Sequence, residues 1–186
     1  EYGETAPFPY FISHLDPQLV EAVRQGRREE FAAFAWLGEP ADPQDPATFQ
    51  RAKLDHRLRR LGHHRVLREF YKELIALRRT IPALMSLDKE SMEVFGYEKQ
   101  RVLFVRRWSG DDQAALLLNL SEASVSATIP LPVGTWRKRL DSAAERWHGD
   151  GSLIPDEIDS PGEVSLVLSP RTAVLLVGPG HTWTEQ

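Results

Sequence analysis

The sequence predicts an α+β protein in which a helical segment is followed by an antiparallel β-sandwich. Up to about Leu87, apolar residues recur at the three- and four-residue spacings of helices, whereas from Met92 they alternate every second residue. The charge balance changes at the same point, because residues 1–87 carry 13 basic and 12 acidic side chains and residues 88–186 carry 10 and 15. We therefore expect two domains, 1–87 and 88–186.

Helix signals divide the first domain into three helices. Asp16 followed by Pro17 is a capping carboxylate before a proline at the first helical position, and Gly26 should interrupt the helix that begins there. A short helix is expected over 48–58. The strongest pattern covers 62–81, where a wide apolar stripe is followed by Pro82.

The second domain contains short segments of alternating polarity separated by turn residues. Seven strands are expected, at 93–98, 101–108, 114–120, 125–131, 135–141, 163–168 and 172–177. A long polar segment, 142–162, separates the fifth strand from the sixth. This pattern is typical of a β-sandwich of about 90 residues.

Composition excludes several classes of protein. There is no cysteine, so disulfides and thiolate chemistry are excluded. The net charge of −4 argues against a nucleic-acid partner. No apolar run has the roughly 18 residues of a membrane span, and no signal segment opens the sequence, so we expect a cytoplasmic protein without a membrane partner.

The opening segment, residues 1–17, is a candidate sugar-binding loop. It places aromatic side chains, carboxylates and a histidine among three prolines. Aromatic faces stack on the apolar faces of sugar rings, and carboxylates accept hydrogen bonds from hydroxyl groups. The alternative is an ordinary loop whose aromatic rings are buried.

A second loop, residues 36–46, contains three prolines in seven residues and is expected to be rigid. It would present Asp42, Gln44 and Asp45. The alternative is a turn in which Asp45, followed by Pro46, caps the next helix.

Catalytic and metal-binding motifs are lacking. The sequence contains neither a phosphate-binding glycine loop nor a nucleophile elbow. His63 and His64 are adjacent and have no partner at metal-ligand spacing, so no metal site is expected. Residue patterns alone therefore predict the fold class and leave the chemistry open.

Several segments resemble known proteins in order and spacing. EYGETAPF at residues 1–8 resembles the segment after barrel strand eight in α-amylase superfamily enzymes. The segments that follow resemble a narrower family, the malto-oligosyltrehalose trehalohydrolases: PFPYF at 7–11, HLDP at 14–17, EAVRQGRREEF at 21–31, DPQDPATF at 42–49 and KL at 53–54. The resemblance covers essentially the whole chain.

The resemblance implies a glycoside hydrolase that cleaves the α-1,4 bond releasing trehalose from malto-oligosyltrehalose. It implies that residues 1–87 are the last loops and helices of a (β/α)8 barrel and that 88–186 are the C-terminal sandwich. The family's catalytic carboxylates lie on barrel strands upstream of Glu1, so no catalytic residue is assigned here and the segment alone is expected to be inactive. No cofactor is implied.

The same resemblance places the opening segment on the catalytic face of the barrel. Substrate-binding candidates are then Phe8, Tyr10, Phe11, His14, Asp42, Gln44 and Asp45. The implied partners are malto-oligosyltrehalose or a related α-glucan and the remainder of the barrel. His14 and Asp16 are not assigned to catalysis, because SHLD at 13–16 is not the family's Asn-His-Asp motif.

Two alternatives remain at this point. The chain could belong to another superfamily enzyme, such as a glycogen-branching enzyme. It could also be a carbohydrate-binding module without catalytic activity, with Trp136 and Trp147 as its sugar platform, although a core or anchoring role for these tryptophans is the competing interpretation.

Overall fold

The structure, a computed structural model, describes residues 1–34 and 38–179. It divides into two compact units, Glu1–Arg65 and Val66–Gln186. The second predicted loop falls partly outside the described residues, at Trp36 and Leu37.

The first unit consists of helices joined by extended segments. Helix α1 spans Pro17–Ala33 and helix α2 spans Pro46–Arg51, and Leu58–Arg60 forms a single 3-10 turn. Both predicted caps are confirmed, because the side chains of Asp16 and Asp45 accept hydrogen bonds from the amides of Gln18 and Ala47.

Two helix predictions for this unit are wrong. Helix α1 continues through Gly26, since one glycine lowers helix stability by only about 1 kcal/mol. Helix α2 ends at Arg51, well before the predicted Leu58. The side chain of Asp55 instead accepts a hydrogen bond from the amide of Arg57 and starts a new turn.

Helix α3 spans Gly62–Thr80, and the one-turn helix α4 spans Pro82–Met85. The prediction for 62–81 is confirmed to within one residue, because Pro82 cannot continue the hydrogen-bond pattern of α3. The amide of Ala83 in α4 donates a 2.8 Å hydrogen bond to the buried side chain of Asp112.

Eight strands follow in the second unit: β1 (Met92–Tyr97), β2 (Val102–Ser109), β3 (Asp112–Asn119), β4 (Val125–Ile129), β5 (Gly134–Asp141), β6 (Glu157–Ser160), β7 (Val164–Leu168) and β8 (Ala173–Val177). All seven predicted strands are present. Strand β6 was missed because it is four residues long and lies within a polar segment.

The strands form a six-stranded sheet, in the order β1-β2-β3-β8-β5-β6, and a two-stranded sheet of β4 and β7. Every pair is antiparallel. One core contains apolar side chains from both sheets, including Phe104, Leu117, Ile129, Trp136 and Leu168. The predicted sandwich is therefore confirmed.

The opposite face of the six-stranded sheet packs against residues of helices α3 and α4. Strand β8 shows the alternation directly, because Val174 and Leu176 enter the sandwich core, whereas Leu175 and Val177 pack with Leu77 of α3. Strand β5 reaches both faces through a bulge between Lys138 and Leu140, which changes the side to which its residues point.

Residues 66–87 belong to the same compact unit as the sheet, which differs from the predicted division near Leu87. The change from helices to strands does occur where the sequence predicts it, since β1 begins at Met92. Residues 66–87 join the unit of the sheet because they are buried against it. Leu77, Ile81 and Ala83 are almost completely buried in a cluster with residues of the sheet. The assignment of 1–87 to a barrel stays a prediction.

None of the helices in the described ranges combines the length and the apolar character that a bilayer crossing requires.

Candidate functional site

Glu4 fixes the opening segment to the rest of the first unit. One carboxylate oxygen accepts hydrogen bonds from the amides of Thr5 and Ala6, and the other accepts from the hydroxyl of Tyr2 and from the amide of Asp55. These hydrogen bonds, led by the one from Ala6, lower the pKa of Glu4 below its ordinary value. A carboxylate with four donors is a structural anchor.

A buried histidine provides a second anchor. Nδ1 of His64 lies 2.8 Å from the carbonyl oxygen of Tyr2, and the His64 side chain is buried. The opening segment is thereby joined to the first turn of α3. The rings of His63 and His64 are 3.8 Å apart, and the described residues contain no group of three potential metal ligands.

Three of the predicted binding residues are exposed aromatic side chains. Phe8 is fully exposed and about half of Tyr10 is exposed, whereas Phe11 is 38% exposed and packs against Phe49, with ring centroids 5.4 Å apart. The guanidinium group of Arg27 lies 5.1 Å from the ring centre of Tyr10, within the range of a cation–π interaction. The alternative of buried aromatic rings is therefore wrong for Phe8 and Tyr10.

The two predicted carboxylates of the second loop, Asp42 and Asp45, are engaged in internal contacts. Asp42 accepts two hydrogen bonds from Arg24, at 3.0 and 2.8 Å, and one from the amide of Gln44. The bonded guanidinium group of Arg24 lowers the pKa of Asp42. Asp45 caps α2. The structure thus confirms the alternative role of Asp45 as a helix cap.

The two predicted loops contact each other. The amide of Ile12 donates to the carbonyl of Pro43 over 2.8 Å, and the side-chain amide of Gln44 donates to the carbonyl of His14 over 2.9 Å. The other amide atom of Gln44, Oε1, is buried and has no partner among the described residues. We call Phe8, Tyr10, Phe11, His14 and Gln44 the aromatic rim.

The structure removes Trp136 from the predicted tryptophan platform. Trp136 is completely buried and donates a 2.9 Å hydrogen bond to the carbonyl of Pro132. Trp147 packs edge-on against Phe70 of α3, with centroids 5.2 Å apart, and the guanidinium group of Arg146 lies 4.5 Å from its ring centre. Trp136 is therefore not available to stack on a sugar, whereas Trp147 is partly buried and packs against Phe70.

Sequence reasoning missed the residues that hold the rim in place. Glu4, Arg24 and Arg27 act through partners that are distant in sequence, such as Asp55 and Asp42. The only local signal in the sequence is the presence of Glu4 in the proline-rich opening segment, and this signal does not show which donors surround its carboxylate. The roles of Glu4, Arg24 and Arg27 depend on tertiary contacts.

The chain is similar in sequence to several known proteins. No family model matches it. Malto-oligosyltrehalose trehalohydrolase of Brevibacterium helvolum is 38% identical over 179 residues, which cover 95% of this chain and 26% of the relative. The enzyme of the same name from Arthrobacter ramosus is 42% identical over 157 residues, covering 83% of this chain and 26% of the relative.

The chain is similar to malto-oligosyltrehalose trehalohydrolases over most of its own length, and this coverage fits a C-terminal portion of such a protein. It spans about a quarter of the length of these relatives. Similarity to the 1,4-α-glucan branching enzyme GlgB of Butyrivibrio fibrisolvens is weaker, at 30% identity over 118 residues, covering 59% of this chain and 18% of that enzyme.

A solved structure is similar to this chain over almost its full length. A protein of Salmonella typhimurium described as an α-amylase superposes with a TM-score of 0.67 at 27% identity. The match covers 96% of this chain and 26% of that protein. The helical segment followed by a β-sandwich is therefore an arrangement found in the α-amylase superfamily.

Proposed function

We propose that this chain is the C-terminal part of a retaining glycoside hydrolase that cleaves the α-1,4 bond releasing trehalose from malto-oligosyltrehalose. The observation that carries this proposal is the 38% identity, over nearly the whole chain, to an enzyme of that name. A retaining mechanism would use two carboxyl groups about 5 Å apart, one as nucleophile and one as acid and base.

Three carboxylates of the first unit are engaged in internal contacts and are poor candidates for this catalytic pair. Glu4 accepts four hydrogen bonds, Asp42 pairs with Arg24, and Asp45 caps a helix. A nucleophile or a general acid must be free to reach the substrate. These three residues therefore act as anchors, and we assign no catalytic residue here.

We propose that residues 1–87 complete a (β/α)8 barrel, which would carry the aromatic rim on its catalytic face. Two properties of the rim support sugar binding. Phe8 and Tyr10 expose aromatic surface to solvent, and the loop that carries them is held by hydrogen bonds to Pro43 and from Gln44. A rigid aromatic surface suits stacking on a pyranose ring.

The weaker candidate function is α-glucan branching, which the similarity to GlgB favours. The two functions differ in their products, since hydrolysis releases trehalose and branching creates α-1,6 linkages. Both would use an α-glucan as substrate, and neither requires a cofactor.

Product analysis tests the proposal. The longer protein that carries this chain is incubated with malto-oligosyltrehalose and, separately, with a linear malto-oligosaccharide. We expect trehalose from the first substrate and no new α-1,6 linkages from the second. The 186-residue chain alone serves as the control and should release no trehalose.

Formation of α-1,6 branches without trehalose would replace the proposal with the branching reaction. Trehalose release by the 186-residue chain alone would contradict the location of the catalytic carboxylates outside it.

A further inference from the structure

The second unit contains an open cleft of about 360 Å³ at one end of the sandwich. Three connections form it: the β3–β4 loop, the long β5–β6 connection and the β7–β8 turn. Its volume lies within the range of roughly 300–1,000 Å³ that is usual for small-molecule sites. The cleft shares no residue with the aromatic rim.

Buried polar side chains hold these connections in place. Asn119, almost fully buried at the end of β3, donates to the carbonyl of Ala123 at 2.9 Å and to that of Ser169 at 2.8 Å. Asp141, equally buried at the end of β5, accepts from the amide of Ala143 at 2.8 Å and from the hydroxyl of Thr172 at 2.9 Å. The cleft is therefore preorganised.

The wall formed by the β5–β6 connection requires glycine. A Cβ atom added at Gly149 would lie 2.2 Å from the carbonyl oxygen of Ala143, so no other residue fits without moving the backbone. The amide of Gly151 donates a 2.8 Å hydrogen bond to the same oxygen. This close approach positions the neighbouring side chain, Asp150, at the cleft.

The polar groups in the cleft suit a neutral ligand with many hydroxyls. Asp150 is exposed, and its carboxylate has no hydrogen-bond or ion-pair partner within residues 1–34 and 38–179. Arg171 supplies donors, but Glu122 pairs with its guanidinium group. Two carboxylates against one guanidinium group disfavour an anion, whereas a carboxylate beside a donor can bind adjacent sugar hydroxyls.

The cleft is also lined by apolar groups. Leu153, which is 53% exposed, and the exposed ring of Pro170 also line the cleft. An aliphatic patch beside hydrogen-bonding groups matches a pyranose ring, which has apolar C–H faces and a polar edge. The side chain of Ser124 adds an exposed hydroxyl group.

We propose that this cleft is a binding site for an uncharged sugar, with Asp150 as its principal hydrogen-bond acceptor. The proposal rests on the sandwich residues alone and is independent of the trehalohydrolase activity.

Nuclear magnetic resonance titration of the 186-residue chain tests the site. The 15N-labelled chain is titrated with maltotriose, with trehalose and, as an anionic probe, with inorganic phosphate, and the amide signals of Gly149, Gly151 and Arg171 are followed. We expect saturable shifts with at least one of the sugars and none with phosphate.

Two variants separate the cleft from other sugar contacts. Asp150→Ala removes the free carboxylate and should weaken sugar binding at these amides roughly tenfold or more. Asp111→Ala is the matched control, because Asp111 is an exposed carboxylate in the β2–β3 turn and does not line the cleft. The control should leave the affinity unchanged.

Three results would overturn the proposal. They are the absence of saturable shifts at the cleft amides with either sugar, an affinity that Asp150→Ala leaves unchanged, and binding of phosphate in place of sugar. If the sugar shifts only amide signals of the aromatic rim, the cleft does not bind it, and the proposal is overturned.

Discussion

At the scale of single residues, Phe8 is the clearest functional candidate. Its ring is fully exposed, although the loop around it is held by Glu4 and by hydrogen bonds with residues 43 and 44. Leu15, in the same opening segment, is also almost fully exposed. Both side chains are apolar, but only the aromatic ring of Phe8 can stack on a sugar.

If the proposed function holds, Phe8→Ala in the longer protein should raise KM for malto-oligosyltrehalose roughly threefold to tenfold, because an aromatic contact contributes about 0.5–1.5 kcal/mol beyond its area. Leu15→Ala is the control and should leave KM unchanged. Steady-state kinetics of trehalose release measures both. Equal KM values for Phe8→Ala and the unmodified enzyme would remove Phe8 from the rim.

At the scale of elements, helix α3 has two apolar faces. Leu77 is buried in the cluster that packs on the six-stranded sheet, together with the partly buried Phe70. Tyr71, Leu74 and Ile75 lie three to four residues apart on another side and remain 36–49% exposed. A helix with apolar residues on two sides usually packs against other structural elements on both sides. The exposed apolar side of α3 therefore supports the proposed contact with the remainder of a barrel.

Shortening one side chain on each of the two faces should therefore change the stability of the 186-residue chain by different amounts. Leu77→Ala should lower the free energy of unfolding by about 2–5 kcal/mol, the usual cost of a cavity in a packed core. Ile75→Ala removes the same number of atoms from the exposed face and should change it by less than about 0.5 kcal/mol. Urea denaturation followed by circular dichroism distinguishes them, and equal losses would contradict the assignment of faces.

At the scale of the whole molecule, the two units differ in their cores. In residues 1–65 the buried aliphatic side chains of the described positions are Ile12 and Val20. The second unit contains two extended apolar clusters. Because burial of apolar surface is the main stabilising contribution to folding, the first unit should be much less stable in this chain.

Hydrogen exchange measures this difference directly. Amides in the middle of α1, such as that of Val23, should exchange with a much lower opening free energy than amides in the central strand β3, such as that of Leu117. Similar protection in α1 and β3 would mean that the first unit has a source of stability beyond its visible core.

Local patterns predicted much of the fold. The N-caps at Asp16 and Asp45, helix α3 and seven strands follow from short-range signals, which act over a few residues. Strand β6 was missed because pairing with β5 stabilises its four residues, and their own composition shows little of this. The compact division at Arg65 also depends on packing between distant segments.

The sequence by itself determined the fold class and the similarity to malto-oligosyltrehalose trehalohydrolases, which extends along most of the chain. Both depend on residue order, which the sequence contains in full. Tertiary structure decided which side chains remain available: Arg24, 18 residues away in sequence, pairs with Asp42, and Trp136 lies in the core. It also places Asp150, which the sequence did not single out, at a cleft. The physical reason is that exposure and pairing depend on neighbours in space, which can be far away in sequence.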